Sequence, residues 1–171
     1  MLENKEHLSI EGIEKIINLR DQNKEILPTL TKSSLNCDWI AGFVDAEGCF
    51  DIDIYKSKTN TGYAVTLRFR LVQHIRDLEL MQSIRNFLKC GTVVSNKDSG
   101  GGGVTILVRK LSDITEILVP LFKNHKLHGT KRLDFDDFCK VGVLMSNKEH
   151  LSKIGLDKIL QIKKFMNTGR K

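Results

Sequence analysis

The sequence predicts an α+β fold, a four-stranded antiparallel sheet with helices on one face. Three observations carry this. Apolar residues recur with period 3.6 in some stretches and period two in others. The period-two stretches come in two pairs, each pair joined by a polar or glycine-rich segment. Helical spacing precedes and follows each pair, so that helices can cover one sheet face.

Taken in order, Ser9–Arg20 reads as a capped helix with Ile13, Ile16 and Ile17 on one side. Residues 21–36 are polar, contain Pro28 and lack periodicity, which predicts a linker. The short apolar run Cys37–Val44 predicts a helix with Asp38 as its cap and Gly48 as its stop. This divides the chain into 1–36, a helix and linker, and 37–171, the main domain.

From Cys49 the period becomes two. Phe50, Ile52 and Ile54 form a buried side, and Asp51, Asp53 and Tyr55 a wet one. After a polar turn at Ser57–Gly62 the pattern resumes. Leu67, Phe69 and Leu71 face the core, while Thr66, Arg68 and Arg70 join the wet face. A one-residue slip would invert the whole assignment. Arg76–Leu88 has helical spacing. Gly91–Asn96 and Val104–Arg109 predict two more strands around a Gly100–Gly103 tip, with adjacent Val93 and Val94 facing opposite ways. That tip lacks the strand–loop–helix setting of a phosphate cradle. Ser112–Phe122, Lys131–Met145 and Lys153–Met166 complete the helices.

The chain has 171 residues, with 27 Lys+Arg against 21 Asp+Glu and a net charge of +6. A basic surplus favours a polyanionic partner, because cations placed on phosphates release condensed counterions. The four cysteines lack metal-ligand spacing and predict free thiols. No apolar run reaches membrane-spanning length, so no membrane partner is expected. The N-terminal residues resemble neither a secretory signal nor an Arg-rich transit peptide.

One internal repeat stands out. Asn4-Lys5-Glu6-His7-Leu8-Ser9 recurs as Asn147-Lys148-Glu149-His150-Leu151-Ser152, and the match continues at Gly12/Gly155, Lys15/Lys158 and Ile16/Ile159.

The most informative stretch is Trp39-Ile40-Ala41-Gly42-Phe43-Val44-Asp45-Ala46-Glu47-Gly48-Cys49-Phe50. Ala41-Gly42 is a small pair that lets two helices approach closely. This stretch resembles the signature of the LAGLIDADG homing endonuclease family, and the resemblance runs from Asp38 to about Met166. It implies a repeat in which two signature helices cross side by side, with Ala41 and Gly42 at the interface between halves. It implies that Glu47 is the carboxylate that binds a divalent metal, Mg²⁺, over the scissile phosphate. Gln73 matches a polar position near that phosphate, and Lys131 a basic residue near the catalytic centre. The wet face resembles the family's base-reading surface, which would make Asp51, Asp53, Tyr55, Thr66, Arg68 and Arg70 nucleic-acid contacts. Arginine suits guanine edges, and carboxylates suit cytosine amines.

Only one signature is present, so two readings stand. In the first the chain is half of a site-specific endonuclease. It hydrolyses double-stranded DNA with a second LAGLIDADG half, either a second copy or a separate chain. In the second it is a non-catalytic RNA binder recruited from such an enzyme, a maturase or a ribosome-associated protein. The N-terminal repeat element resembles the last helix of a preceding repeat. The family's intron-encoded setting implies the mitochondrion or chloroplast.

Overall fold

A computed structural model describes residues 9–24, 35–96 and 102–170. The chain divides into two units, Met1–Ser34 and Leu35–Lys171.

In the first unit, α1 (Ile10–Lys24) starts at Ser9, whose hydroxyl accepts a hydrogen bond from the Gly12 amide at 3.0 Å. The helix runs past Arg20 into residues expected to be linker. Asp21, Gln22, Asn23 and Lys24 are polar but contain no glycine or proline to stop it, and Pro28 lies further on. The remaining linker positions 25–34, the first repeat copy at Asn4–Leu8 and the loop 97–101 lie outside the described residues.

The second unit begins with α2 (Cys37–Glu47), followed by β1 (Gly48–Lys56), β2 (Tyr63–His74), α3 (Leu78–Leu88), β3 (Thr92–Asn96) and β4 (Gly103–Val108). Then come α4 (Leu111–Asp113), a π-helical segment at Ile114–Leu118, α5 (Val119–Asn124), α6 (Lys131–Ser146) and α7 (Lys153–Lys164). The wide turn ends beside Pro120, which has no amide hydrogen to continue an ordinary helical ladder.

The expected four-stranded antiparallel sheet is present, in the order β1-β2-β4-β3. The β1–β2 turn is held by Ser57 N–H donating to the Gly62 carbonyl, with Gly62 at φ +76. The register pairs Phe50 with Phe69, Ile52 with Leu67 and Gly48 with Leu71. All six of these residues are buried against the helices, and Ile54 is half-buried at the rim. The helices α2, α3 and α6 contribute Ile40, Val44, Met81, Ile84, Phe135 and Phe138. Phe50 is the hub, with rings of Phe69, Phe122, Phe135 and Phe138 at 5.2–5.8 Å from its centroid.

The C-terminal segment returns to this core. Buried Asp134 on α6 accepts from the Asn167 amide and from Arg170 Nε, both at 3.0 Å. The Asn167 side-chain amide donates to the carbonyl of Phe50 on edge strand β1 at 3.0 Å. Among the described residues, no helix is long and apolar enough to cross a membrane.

Candidate active site and nucleic-acid interface

The site grows from the ends of α2. Its N-cap is Asn36, whose side chain accepts from the Trp39 amide at 2.8 Å. Asp38, the expected cap, lies in the first turn, where acidic charge suits the helix dipole, and meets His125 Nδ1 at 2.5 Å. At the other end α2 passes into β1 without a loop. A Cβ on Gly48 would lie 2.7 Å from both Val44 Cγ1 and the Val44 carbonyl, so the junction requires glycine. It leaves Glu47 exposed as the last helical residue.

The loop before α6 runs beside α2 and is fastened to it. The Asp45 carboxylate accepts from the His128 amide at 2.8 Å and from the Gly129 amide at 3.2 Å. Two residues on, Lys131 Nζ donates to the carbonyl of Ala46 at 3.1 Å. A cation 85 positions away in sequence from Ala46 is thereby held at the backbone of the last turn of α2.

Gln73 sits near the end of β2, two residues beyond the Gly48 partner Leu71 and opposite Val104. It shares its parity with Leu71 and is half-buried, so it lies at the helix side of the sheet and not with Arg68 and Arg70. The Ala41-Gly42 pair is divided by the helix. Ala41 is 5% exposed and belongs to the domain's own core. Gly42 is exposed, and a Cβ there would meet nothing within 4 Å. The open stripe of α2 is therefore Trp39, Gly42 and Ala46, with Phe43 stacked on Trp39 at 5.0 Å between centroids. Neighbouring residues on a helix point about 100° apart, which is why the pair splits.

On the wet sheet face Asp51 lies opposite Arg68, Asp53 opposite Thr66, and Cys49 opposite Arg70. Arg68 donates through Nε (3.0 Å) and NH2 to one Asp51 oxygen, and its NH1 lies 3.0 Å from Asp53. Burial works against the Arg68 charge, but the Asp51 hydrogen bond and the charges of both aspartates raise its pKa overall. Arg70 is freer. Its NH2 lies 3.8 Å from Asp51, and its buried Nε has no hydrogen-bond partner among the described residues. Tyr55 is exposed at the end of the same row of β1 residues.

The face continues across the other two strands, where Val94 is the outward-facing member of the adjacent valine pair and Val72, Thr92, Thr105 and Leu107 are residues that the sequence alone did not single out. Arg70 pairs with Leu107, which pairs with Thr92, and Val72 with Thr105, which pairs with Val94. Val72 and Val94 are exposed. The buried alternation of Val104, Ile106 and Val108 was the available signal, since it turns Thr105 and Leu107 outward. One half of the face is charged and the other is apolar and hydroxyl-bearing.

Among the described residues, no group of three or more His, Cys, Asp or Glu side chains could hold a metal ion. Asp45 is occupied by backbone amides, which leaves Glu47 as the carboxylate offered at this helix end.

Comparison with known proteins adds to this geometry. Residues 40–142 match the family model described as LAGLIDADG endonuclease. A probable intron-encoded endonuclease 3 of Neurospora crassa is 34% identical over 177 residues, covering 93% of this chain but 33% of the relative. An uncharacterized 50.9 kDa protein in ND4 intron 1 of Podospora anserina is 37% identical over 124 residues, 71% of this chain and 27% of that protein. The chain thus spans about a third of the length of these curated relatives. Among solved structures, the I-LtrWI LAGLIDADG homing endonuclease bound to target DNA superposes with a TM-score of 0.84 at 35% identity, covering 99% of this chain and 62% of that one. The homing endonuclease I-TnaI gives 0.73 at 40% identity, covering 80% and 90%.

Proposed function

Since this chain belongs to the LAGLIDADG endonuclease family, we propose that it works as half of a homing endonuclease cutting double-stranded DNA at a specific site. The observation that supports this is the Lys131–Ala46 hydrogen bond, which ties a cation to the backbone carbonyl that precedes Glu47 at the end of the signature helix.

In this reading Glu47 is the catalytic carboxylate. Divalent metal chemistry supplies an activated water and neutralises the leaving oxygen. Glu47 suits such an ion, because Mg²⁺ is commonly held by one or two carboxylates together with substrate phosphate and water. The second carboxylate comes from the signature helix of a second LAGLIDADG half. Gly42 lets that helix approach, and Trp39, Phe43 and Ala46 complete the contact surface. Lys131 holds positive charge near the phosphate that is cut, and Gln73 offers polar atoms for the attacking water. Asp45 acts through Lys131, by fixing the loop that leads to it. The wet face lies in the DNA groove, with Arg70 as its least committed cation. The ND4 intron of one relative supports a mitochondrial setting.

The test uses Glu47→Gln, which removes a charge at nearly constant size. Wild type and variant are each paired with a second LAGLIDADG half and presented with a duplex library and Mg²⁺. Metal-dependent cutting by wild type, lost in the variant while binding persists, is the expected result. No cutting by wild type with any half, together with retention on structured RNA, would overturn it in favour of the RNA-binding reading.

A further inference from the structure

Where both copies of the internal repeat are described, from Ser9 and from Ser152 onward, the helices start with the same cap and differ in the exposure of their apolar face. Ser152 caps α7 by accepting from the Gly155 amide at 3.0 Å, and Ser9 caps α1 by accepting from the Gly12 amide at 3.0 Å. Both glycines are buried. In α7 a Cβ at Gly155 would lie 2.0 Å from the Glu149 carbonyl, because the 149–151 turn folds tightly beneath the helix start. Next comes the apolar face. Leu156 is 5% exposed and Ile159 0%, buried where α7 packs on α6. Their counterparts Ile13 and Ile16 are 47% and 44% exposed.

The substitutions between the copies respect that face. Leu156 corresponds to Ile13, Ile159 to Ile16 and half-buried Ile162 to Leu19, so each stays aliphatic. At Ile154, which is 73% exposed, the counterpart is Glu11. Chemistry is kept at every covered position of α7 and also at exposed ones such as Asp157 and Lys158, whose counterparts are Glu14 and Lys15. The two helices therefore match in register along their length, the covered aliphatic face included. The sequence of the 149–151 turn is also carried along, as Glu6-His7-Leu8.

We infer that α1 is an α7-type helix whose apolar face, Ile13, Ile16 and Leu19, docks on the α6-type helix of another LAGLIDADG repeat. The occupant is specified by the copy. α7 shows which surface this face fits, namely a helix like Lys131–Ser146. A second copy of this chain fits less well, because its own α7 already covers that surface of α6. The inference deepens the reading of a second half by naming where that half is gripped, and its test reads folding rather than cleavage.

The test grafts Ser9–Arg20 in place of Ser152–Lys163 in the full chain. The buried changes are aliphatic swaps, which are well tolerated. Cooperative unfolding is expected to persist, with Tm lowered by about 5 °C or less. The same graft carrying Ile13→Lys and Ile16→Lys is expected to lose its cooperative transition. If the plain graft behaves like this control, α1 is not an α7-type helix and the inference fails. Hydrogen exchange of the natural chain supplies the second readout. Fast exchange of the α1 amides in the isolated monomer is expected, since a lone helix of this length is marginal in water. Strong protection in the monomer, or a self-associated state abolished by Ile13→Lys and Ile16→Lys, would assign the face to this chain itself and overturn the partner named here.

Discussion

Arg68 and Asp51 face one another across β1 and β2, and Asp51 takes two of the guanidinium hydrogens on a single oxygen. With Asp53 on its other side, Arg68 is neutralised by two carboxylates before any nucleic acid arrives. A double-mutant cycle with Arg68→Ala and Asp51→Asn should give a coupling of about 1 kcal/mol in thermal or urea unfolding, since the pair is charge-assisted but partly solvated.

The same pairing separates the two arginines as ligands for DNA. Arg70 has an unsatisfied Nε and a looser ion pair. Arg70→Ala should reduce the slope of log K against log salt by about 1, the value for one lost phosphate contact. Arg68→Ala should leave that slope unchanged and act on selectivity or stability. Equal slope changes in the two variants would show that Arg68 releases its aspartates on binding.

Asp45→Asn tests the fastening of the loop. The amide retains one acceptor oxygen where the carboxylate now serves the His128 and Gly129 amides. A loss of about 1 kcal/mol is expected. Faster hydrogen exchange at residues 128 and 129 should accompany it. If cleavage is measurable, it should fall less than with Glu47→Gln, because Asp45 acts through Lys131.

The C-terminal clip gives a pH dependence. Burial would raise the Asp137 pKa, but hydrogen bonds and charge from Lys140 and Arg170 outweigh it and hold the carboxyl below its usual 3.8. A depressed folded-state value contributes stability that is present above pH 3.8 and lost as pH falls through the folded value. Asp137→Asn should therefore lower Tm at pH 6. The gap from wild type should close as acid takes the carboxyl through its folded pKa.

The thiols offer a footprint of the sheet face. Burial pushes Cys90 and Cys139 up to about 11, so few of these groups are thiolate at pH 8. Cys49 sits on the wet face with Arg70 NH2 3.7 Å from its sulfur. Iodoacetamide should label Cys49 ahead of Cys90 and Cys139, and bound duplex should suppress that labelling. Undiminished labelling in the complex would place the DNA elsewhere.

How much of this was legible follows from how far each interaction reaches along the chain. The sheet faces were legible because alternation is a local signal, and the pairing of Phe50 with Phe69 and Asp51 with Arg68 preserves it. The strand order was not, since pairing of β2 with β4 depends on how α3 crosses between them. Asp45 was visible as an acidic residue without a role because its partners are backbone amides 83 and 84 positions on. Asp38 looked like a cap, but Asn36 is two residues nearer the start and takes the Trp39 amide, a choice of one helical phase that the sequence leaves open. Ala41 and Gly42 read as one small-residue unit only when the rotation along the helix is ignored.

The hydrogen bond from the Asn167 side chain to the Phe50 carbonyl bears on solubility as well as on fold. β1 is an outermost strand, and its unpaired backbone groups are a template onto which another chain's strand could add. Asn167, anchored through Asp134, occupies one of these acceptors and lays the C-terminal turn beside the strand. The tail thus serves as an edge guard. Removing residues 166–171 should expose the β1 border and favour aggregation more than it lowers Tm, so a fusion partner is better attached elsewhere than at this end.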